Sequence, residues 1–426
     1  MILSKRLQAV KPSPTLAITA KAMELKAAGH DIVSLSAGEP DYDTPDHIKT
    51  AAKIAIDEGK TKYTPVEGIK QLKDAICAKF ERENGISYKP NEIIVGAGAK
   101  QVLFNALLAT ISAGDEVIVL APYWVSYVDM VELAEGKSVI VHCKEENGFK
   151  PRASEIEKAI TPATKWLIIN SPNNPTGATY NWEELVEIAE VLRKHPNVYV
   201  MTDDIYEHII FDDHKFCTLA QVDPSLKSRI LTINGMSKSY AMTGWRVGYG
   251  AGPKEIIDAM SIIQSQSTSN ACSISQYAAL AALNGPQDCI AEGRDLFERR
   301  RNMVLDLVNN IDGLSCKKPS GAFYLLINCS SFIGSSGRVG DGVGSKVEDK
   351  MVGKEENMVE RRAVAARAIL SSDDFCSYLL EKALVAAVPG EAFGAPGYIR
   401  ISCATSEALL KEACDRMKKT CFDLRQ

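Results

Sequence analysis

Residues 234–246 read Asn-Gly-Met-Ser-Lys-Ser-Tyr-Ala-Met-Thr-Gly-Trp-Arg, a small, polar segment that lies between two apolar runs. The run before it, residues 230–233, is short and rich in β-branched residues, and the run at 245–249 is also typical of a strand. The pattern therefore predicts two buried strands joined by a loop that carries Lys238 and Arg246.

These two cations suggest a particular chemistry. A lysine beside a buried strand is poorly solvated, which disfavours its ammonium form and makes it a usable nucleophile towards a carbonyl. An arginine nearby offers a fork of donors for a phosphate. Together they suggest pyridoxal phosphate held as a Schiff base. A solvated connection with two surface cations would show the same pattern, so this segment alone leaves both interpretations open.

From residue 91 onward, short apolar runs alternate with amphipathic helices. Strands are predicted at 92–96, 115–120, 138–142, 165–170, 198–202, 229–234 and 245–250, and helices at about 100–111, 182–195, 253–264 and 275–284. Runs that are apolar on both faces and alternate with helices indicate a mostly parallel sheet covered on both sides. Ligands bind beyond the carboxyl ends of the strands in such sheets, so the loops after each strand are the informative ones.

The chain has 426 residues, which is long for a single hydrophobic core. We predict an N-terminal arm and part of a small domain at 1–45, a large domain at 46–310, and a small C-terminal domain at 311–426. Residues 333–362 are rich in glycine, serine and charge, and we expect them to form a mobile surface insertion.

Composition excludes several classes of partner. A formal charge of −5 and a pI near 5.8 argue against nucleic acid or an anionic membrane as the main partner. No secretory signal is visible, and no apolar run approaches the roughly 18 residues needed to span a bilayer. The eleven cysteines contain no CxxC pair, which favours reduced thiols in a cytoplasm over a disulfide framework or a zinc site. We therefore expect a cytoplasmic protein without a metal.

Other predicted strand ends also carry suggestive residues. Gly98 lies in a small-residue turn that opens a helix, a pattern typical of an anion site that a turn built only for packing would also show. Asp203 ends a buried strand, where a carboxylate is costly unless it has a cationic partner such as a pyridinium nitrogen. Arg400 lies in a predicted strand at a position where a hydrophobic residue would be expected, which suggests recognition of a carboxylate. Trp124 and Asn174 follow two further strands, where stacking and hydrogen-bonding roles compete with plain core and turn roles.

Taken together, the motifs resemble a known family. The stretches that carry the resemblance are SLSAGEPD, KYTPVEG, PYWVSY, NSPNNPTG, TDDIYEH, SKSYAMTGWRVGY and YIRISCATS. They resemble class I aminotransferases of pyridoxal phosphate fold type I, and most closely the bacterial aspartate aminotransferase subgroup, which includes aspartate/prephenate aminotransferases. The resemblance implies a large domain with a mostly parallel seven-stranded sheet, plus a smaller α/β domain built from the N-terminal segment and the C-terminal part.

The resemblance also implies roles for individual residues. Lys238 would bind the cofactor covalently and move the substrate proton, and Asp203 would keep the pyridine nitrogen protonated. Tyr206 and Asn174 would hydrogen-bond the phenolic oxygen of the cofactor, and Trp124 would stack on its ring. The phosphate would be held by Gly98, Ala99, Lys100, Ser237 and Arg246. Tyr63 of a second subunit would also reach the phosphate.

The substrate residues follow in the same way. Arg400 would bind the α-carboxylate, helped by Gly38, Trp124 and Asn174. The region 264–269, where many relatives carry an arginine for the second carboxylate, has neither arginine nor lysine. Lys100, with Thr15 as a helper, is the nearest candidate for that carboxylate.

One departure from the family pattern concerns the phosphate site. A serine is often found three residues before the lysine in this class, whereas this chain has Gly235. Either Ser237 substitutes for it, or the phosphate has one contact fewer.

The resulting functional prediction is an L-aspartate:2-oxoglutarate aminotransferase that works by a ping-pong mechanism as a homodimer with shared active sites. A prephenate or aromatic amino acid aminotransferase and a pyridoxal phosphate-dependent β-lyase are the alternatives among enzymes. A regulator with an aminotransferase-like effector domain is disfavoured, because only about ten residues precede the first motif.

Overall fold

The structure, a computed structural model, describes residues 2, 4–8, 10, 14–338 and 366–426. Its backbone forms two compact units, each assembled from separate stretches of sequence. The first comprises Met1–Lys11, Glu39–Arg299 and Pro319–Phe323, and the second comprises Pro12–Gly38, Arg300–Lys318 and Tyr324–Gln426. The predicted insertion at 333–362 lies outside the described residues from position 339 onward.

The elements are numbered in chain order. The helices are α1 (Pro14–Ala27), α2 (Asp46–Asp57), α3 (Lys70–Lys79), α4 (Ala99–Thr110), α5 (Ser126–Leu133), α6 (Ala153–Ala159), α7 (Trp182–Lys194), α8 (Leu219–Val222), α9 (Lys254–Ser265), α10 (Ser273–Asn284), α11 (Asp288–Asn309), α12 (Ser372–Tyr378) and α13 (Glu407–Leu424). Two of them, α3 and α12, continue into short π-helical segments at Phe80–Asn84 and Leu379–Ala383.

The strands are β1 (Val33–Ser34), β2 (Ile93–Gly96), β3 (Glu116–Ala121), β4 (Lys137–His142), β5 (Thr164–Asn170), β6 (Tyr199–Asp203), β7 (Ile230–Gly235), β8 (Gly248–Ala251), β9 (Ser315–Cys316), β10 (Tyr324–Asn328), β11 (Ser336–Arg338), β12 (Ala366–Ala368), β13 (Val385–Ala386), β14 (Val388–Pro389) and β15 (Tyr398–Ser402).

The first unit is built on a seven-stranded sheet with the order β2-β8-β7-β6-β5-β3-β4. All neighbouring strands are parallel except β8, which runs antiparallel to both β2 and β7. The predicted mostly parallel, seven-stranded sheet is therefore confirmed. Its topology brings the carboxyl ends of β2, β3, β5, β6 and β7 to one edge, together with the start of β8.

Successive residues of the central strands enter two different hydrophobic cores. In β3, Ile118 and Leu120 pack with helices on one face, whereas Val117 and Val119 pack on the other. Side chains alternate along a strand, so a strand that is apolar at every position needs a helical layer on each side. Helices therefore cover both faces, and the sheet edges remain as places for a polar site.

Helix boundaries in this unit follow from local capping. Asn181 accepts a 2.8 Å hydrogen bond from the backbone N–H of Glu184, and the Glu184 side chain accepts from the backbone N–H of Asn181 at 2.9 Å. This reciprocal capping box satisfies two amide groups at the start of α7. None of the described helices is both long and apolar enough to cross a membrane.

The second unit has its own sheet and core. A four-stranded antiparallel sheet has the order β14-β15-β10-β9, and two-stranded pairs join β1 with β13 and β11 with β12. Helix α13 contributes Leu410 and Met417 to the core of this unit, and Phe332 stacks on Phe375 with ring centroids 5.1 Å apart. The pairing of Arg338 with Ala366 places the two ends of the undescribed stretch 339–365 on adjacent strands.

Candidate active site

Polar side chains of the first unit gather at the sheet edge where the parallel strands end. Gly96 at the end of β2 and Gly235 at the end of β7 both pair with Gly248 at the start of β8. At the neighbouring strand ends lie Asn170 of β5 and Asp203 of β6, which pair with each other. This edge is where an open α/β sheet binds ligands.

The loop between β2 and α4 forms a cradle against β8. Gly98 has a φ of 89°, in the region that favours glycine, and α4 begins directly after it without a side-chain cap. A Cβ added at Gly248 would lie 2.2 Å from the amide nitrogen of Ala99, so the helix start can approach this strand only at a glycine. The start of α4 therefore presents amide groups to an anion at the sheet edge.

Arg246 completes this cradle. Its guanidinium donates hydrogen bonds to the backbone oxygens of Thr243 at 2.8 Å and of Ala97 at 3.3 Å. A Cβ at Gly98 would lie only 2.5 Å from Nη2 of Arg246, so the arginine lies directly against the glycine turn. The exposed guanidinium keeps further N–H donors for an anion at this place.

The strand predicted at 245–250 begins later than expected. Arg246 has a φ of 54°, in the left-handed region, and β8 starts only at Gly248. A left-handed residue cannot continue a pleated strand, so the apolar character of Trp245 and Val247 was a misleading strand signal. The bend keeps Arg246 out of the sheet and against the cradle.

Asp203 is a buried carboxylate with one satisfied oxygen. Its Oδ2 accepts a 2.6 Å hydrogen bond from the hydroxyl of Tyr127, and its backbone oxygen accepts one from the Asn170 side chain at 2.8 Å. Its Oδ1 is buried and has no hydrogen-bond partner in the described part of the chain. Burial raises the pKa of Asp203 to about 6, while the Tyr127 hydrogen bond, the backbone N–H of Ile205 and the charge of Lys238 oppose that rise.

The Oδ1 atom of Asp203 indicates what kind of ligand would suit this part of the site. A buried carboxylate oxygen is costly without a partner, and a protonated ring nitrogen is a cationic donor of the required kind. The glycine cradle with Arg246 offers donors for the phosphate at the same sheet edge. The donor set of this edge therefore fits the cofactor that the sequence suggests.

Lys238 lies half-buried in the loop after β7. Its Nζ is 5.8 Å from the ring centroid of Tyr206 and 6.0 Å from that of Phe323, and these two rings meet edge to face with centroids 5.6 Å apart. The structure thus brings Lys238, Tyr206 and Asp203 to one place, although β7 and β6 supply them from different parts of the sequence.

Trp124 and Lys100 form a second group at this edge. The Nζ of Lys100 lies 4.7 Å from the Trp124 ring centroid, within the range of a cation–π contact. Burial lowers the pKa of Lys100, as does the neighbouring charge of Arg246. Trp124 also meets Tyr127 edge to face, with centroids 5.4 Å apart. These contacts link the cradle to the Tyr127–Asp203 pair.

Three other predicted residues lie nearby in the first unit. Asn174 is buried, and its backbone N–H donates to the side chain of Asn170 at 2.9 Å. Ser237 is buried beside Lys238. A Cβ at Gly235 would lie 2.9 Å from the Gly248 Cα and 3.0 Å from the Val247 oxygen, so strand pairing leaves no room for a serine there.

Tyr63 and Thr15 are two further residues predicted for the site. Tyr63 belongs to the first unit and is 92% exposed. Thr15 belongs to α1 of the second unit, and its side chain lies outside the described part of the chain. Their predicted roles stay predictions.

Arg400 and Gly38 belong to the second unit. Arg400 lies on β15, is 2% exposed, and donates a 2.9 Å hydrogen bond to the backbone oxygen of Ser36. Its guanidinium carbon lies 4.4 Å from the ring centroid of Tyr324, whose hydroxyl would be 3.1 Å from a Cβ at Gly38. The arginine is therefore held in a fixed orientation by its own unit.

Tyr127 is the residue of this site that the sequence did not single out. It is one of the aromatic residues of the PYWVSY stretch, and aromatic residues at strand ends more often belong to the hydrophobic core. No sequence signal pairs its hydroxyl with Asp203, 76 residues away. The contact follows from the sheet order, in which β5 lies between β3 and β6, so that residues after β3 can reach the end of β6.

Comparisons with known proteins agree on one family. A family model described as aminotransferase class I and II matches residues 30–417. A protein of Rickettsia bellii named probable aspartate/prephenate aminotransferase is 55% identical over 423 residues, which cover 99% of this chain and 100% of that protein.

Two solved structures are similar in sequence and fold. The crystal structure of the aspartate aminotransferase from Rhizobium meliloti has a TM-score of 0.90 and 47% identity, with 100% of both chains covered. The aspartate aminotransferase from Thermus thermophilus with maleate has a TM-score of 0.87 and 42% identity, covering 99% of this chain and 100% of that one.

Proposed function

The chain belongs to the aminotransferase class I and II family, and we propose that it transfers the amino group of L-aspartate to 2-oxoglutarate by a ping-pong mechanism. The family membership and the transferase class agree with the sequence-based prediction. The choice of aspartate is supported by the names of the relatives in Rickettsia bellii and Rhizobium meliloti.

The observation that carries the proposal is the unpartnered Oδ1 of Asp203 at the same sheet edge as Lys238. In the proposed complex this oxygen accepts a hydrogen bond from the protonated ring nitrogen of pyridoxal phosphate. When bound, the cofactor supplies an electron-withdrawing ring that stabilises the charge left when a substrate Cα loses its proton. Asp203 keeps the ring nitrogen protonated, and its burial makes the ion pair strong.

The phosphate end is assigned to the cradle of the first unit. The amides at the start of α4, the turn at Gly98 and the guanidinium of Arg246 bind the phosphate oxygens. Ser237 adds a hydroxyl, while Gly235 adds none because the adjacent strand leaves no space for a side chain. Trp124 covers one face of the ring, and Tyr206 and Asn174 donate to the phenolic oxygen.

The proton transfer is assigned to Lys238. Its Nζ would hold the cofactor covalently in the resting enzyme, and the same amine, when free, would take the proton from the substrate Cα. The rings of Tyr206 and Phe323 lie beside this amine and leave one side of it covered by apolar surface.

Substrate binding is assigned to two cations. The guanidinium of Arg400, held by Ser36 and Tyr324, binds the α-carboxylate in a bidentate manner, with Gly38 leaving space beside it. Lys100, helped by Thr15, binds the second carboxylate of aspartate or 2-oxoglutarate. The maleate in the Thermus thermophilus structure is also a dicarboxylate, which supports a site of this kind in the family.

Prephenate is a second candidate substrate. The Rickettsia bellii relative carries that name as well as aspartate. A lysine is a point charge on a flexible stem, so Lys100 would accept dicarboxylates of different shape better than an arginine fork would.

We further propose that the active enzyme is a cytoplasmic homodimer in which the exposed Tyr63 reaches the phosphate of the partner subunit.

Absorbance of the purified holoenzyme tests the proposal. L-Aspartate alone should change the cofactor spectrum, and 2-oxoglutarate should restore it, with prephenate added in a separate arm. Borohydride reduction of the resting enzyme followed by peptide mapping should label Lys238. A label on another lysine, or a spectrum that aspartate leaves unchanged while another amino acid changes it, would contradict the assignment.

A further inference from the structure

A polar network lies directly behind the loop that carries Lys238, on residues to which the proposed reaction gives no role. Its members come from the end of α3, the π-helical segment after it, the turn after β6, the end of β7 and the residue after Lys238. They are Lys79, Glu83, Asn84, Glu207, His208, Asn234 and Ser239.

The network holds the first end of the loop through Asn234. Glu207 accepts a 2.8 Å hydrogen bond from the Asn234 side-chain amide. The amide oxygen of the same side chain accepts from the backbone N–H of Gly235 at 2.7 Å. Asn234 is 2% exposed and Glu207 is 6% exposed, so water does not compete with these bonds.

The network holds the residue after Lys238 through His208. Its Nδ1 lies 2.9 Å from the hydroxyl oxygen of Ser239, the residue directly after Lys238. Its Nε2 lies 3.0 Å from Glu83. Ser239 is 5% exposed, so this serine cannot act as a nucleophile on a substrate despite its serine–histidine–acid arrangement.

Charge complementarity fixes the orientation of the histidine. Burial alone would raise the pKa of Glu83, but the His208 hydrogen bond and the charge of Lys79 bring it down to about 2. The Glu83 carboxylate is therefore ionised and can only accept a hydrogen bond, so Nε2 of His208 must be the donor. The other ring nitrogen, Nδ1, is directed at the hydroxyl of Ser239.

Lys79 supplies the compensating positive charge. Its ammonium forms an ion pair with Glu207, lies 3.5 Å from Glu83, and donates to the Asn84 side chain at 2.9 Å. Glu83, Glu207 and His208 also have ligand atoms within 4.8 Å of one another, a spacing suited to a metal ion. Because the buried ammonium already pairs with both carboxylates, the cluster is satisfied without one.

The turn after β6 therefore faces two ways. Asp203 and Tyr206 belong to the candidate active site, whereas Glu207 and His208 point into the network. Backbone hydrogen bonds from Glu207 to Asp204 at 2.9 Å and from Ile209 to Tyr206 at 2.8 Å make the turn a single rigid piece.

From these contacts we propose that His208 and Glu207 are positioning residues for Lys238, holding the chain at Ser239 and at Asn234, on either side of the lysine, so that the amine stays at the reacting atoms. This inference rests on the proposed function for the identity of the reaction, but the position of the amine can be measured without it. A displacement of about 1 Å at a reacting group can cost about a hundredfold in rate, so an anchor of this kind has a measurable effect.

Two replacements of His208 separate its two contacts. In His208→Asn the amide can occupy the position of Nδ1 and keep the contact with Ser239, whereas in His208→Gln it can occupy the position of Nε2 and keep only the contact with Glu83. Ser239→Ala removes the hydroxyl and nothing else. We expect His208→Asn to behave within about threefold of wild type, and His208→Gln and Ser239→Ala to be about tenfold impaired.

The primary measurement is the rate constant with which the apoprotein captures pyridoxal phosphate at Lys238. The second is the reactivity of Lys238 towards an amine reagent in the apoprotein, followed by mass spectrometry, which needs no cofactor. The third is steady-state kinetics, in which a mispositioned amine lowers kcat and leaves the KM for aspartate within about twofold. Thermal unfolding of each apoprotein reports whether a variant has merely lost stability.

The outcomes separate this inference from the proposed function. Equal impairment of His208→Asn and His208→Gln, or unchanged Lys238 reactivity in Ser239→Ala, would overturn the anchoring role. If wild type captures no pyridoxal phosphate at Lys238, the proposed function fails. The reactivity of Lys238 in the variants then still decides whether the anchor exists.

Discussion

The hydroxyl of Tyr127 donates a 2.6 Å hydrogen bond to one oxygen of Asp203, and the other oxygen of that carboxylate is buried without a partner in the described part of the chain. Tyr127 thus fixes the rotation of the carboxylate and leaves one oxygen directed at a ligand. Without a ligand, this arrangement costs stability once Asp203 is ionised.

Asp203→Asn should stabilise the apoprotein at neutral pH while abolishing most activity. Burial raises the pKa of Asp203 from 3.8 to about 6, so the folded state favours the protonated acid. Its stabilising contribution is therefore complete below pH 3.8 and is lost as the pH rises through about 6. The difference between variant and wild type should grow from near zero at pH 4 to at most about 3 kcal/mol at pH 8, measured by urea unfolding.

The same variant should lose far more than tenfold in turnover, because the ring nitrogen loses its anionic partner. A rate within about tenfold of wild type, equivalent to about 1.4 kcal/mol of barrier, would refute the role of Asp203. Asp204→Asn is the control, since its buried carboxyl bonds with Thr218 on another side of the strand. That variant should keep activity within about tenfold.

Tyr127→Phe should destabilise the ionised form of Asp203 while leaving the carboxyl group in place. Loss of a hydrogen bond to a charged group costs roughly 1.5 kcal/mol or more, so we expect about a tenfold fall in kcat and a higher pKa for Asp203. The pH–rate profile measures both effects. Tyr88→Phe removes another buried hydroxyl, which lies 3.3 Å from the Thr232 hydroxyl, and should leave the pH–rate profile unchanged. Equal effects of the two variants would mean that Tyr127 acts only through packing.

The strands of the large sheet were predictable because their signal is local. Each of the seven runs is short, apolar at nearly every position and bounded by turn residues, and each of them forms a strand of the sheet. Asp203 could be chosen because a carboxylate that ends such a run needs a reason to be buried. Helices α5 and α6 were not predicted, since they span only eight and seven residues and lack a strong apolar period.

The contacts between distant elements could not be predicted in this way. The left-handed backbone at Arg246 has no signal in an arginine side chain, so the strand start at 248 was missed. The pairing of Lys79 with Glu207 joins α3 to the turn after β6, and no local pattern in the sequence brings those positions together. Such pairs depend on sheet order and helix packing, which the periodicity of single segments does not encode.

Gly235 provides a direct test of the sterics at the end of β7. Gly235→Ser would restore the serine that is common in this class, but the backbone of Val247 and Gly248 lies within about 3 Å of the added Cβ. Rigid backbone cannot move aside, so we expect a loss of about 1–3 kcal/mol in the free energy of unfolding. Gly244→Ala, in the same loop with nothing within 4 Å of its Cβ position, should stay within about 0.5 kcal/mol. A Gly235→Ser variant as stable as wild type would disprove the packing argument.

Tyr63 allows the proposed sharing of sites between subunits to be tested. Its side chain is 92% exposed, which suits a residue that completes a site on a partner. Tyr63→Ala and Lys238→Ala should each be nearly inactive as homodimers. Mixing them under subunit exchange should restore activity, because a hybrid dimer carries both defects in one site and leaves the other site intact. A mixture without any recovery, although exchange is verified by mass spectrometry, would show that the sites are not shared.

Lys100 decides how a second carboxylate is recognised. Its Nζ lies against the Trp124 ring, and burial and the nearby Arg246 destabilise its ammonium form and lower its pKa. A carboxylate ligand would offset that cost by pairing with the ammonium. Lys100→Ser should therefore impair aspartate, glutamate and prephenate and spare alanine and phenylalanine. The selective loss in kcat/KM should correspond to roughly 2–3 kcal/mol of transition-state binding, typical of a charged hydrogen bond.

The competing hypothesis is that Lys100 only neutralises the phosphate, since it lies in the first turn of α4 beside the cradle. The two hypotheses differ in how the loss is distributed between substrates. A phosphate ligand strengthens the binding of the cofactor, so its removal lowers the rate for every substrate alike and raises the dissociation constant of pyridoxal phosphate. Removal of a carboxylate ligand leaves that constant unchanged, because one- and two-carboxylate substrates use the same bound cofactor. Lys70→Ser, which removes an exposed lysine of α3, controls for general charge effects. Equal losses for alanine and aspartate would assign Lys100 to the phosphate and leave the second carboxylate to another residue.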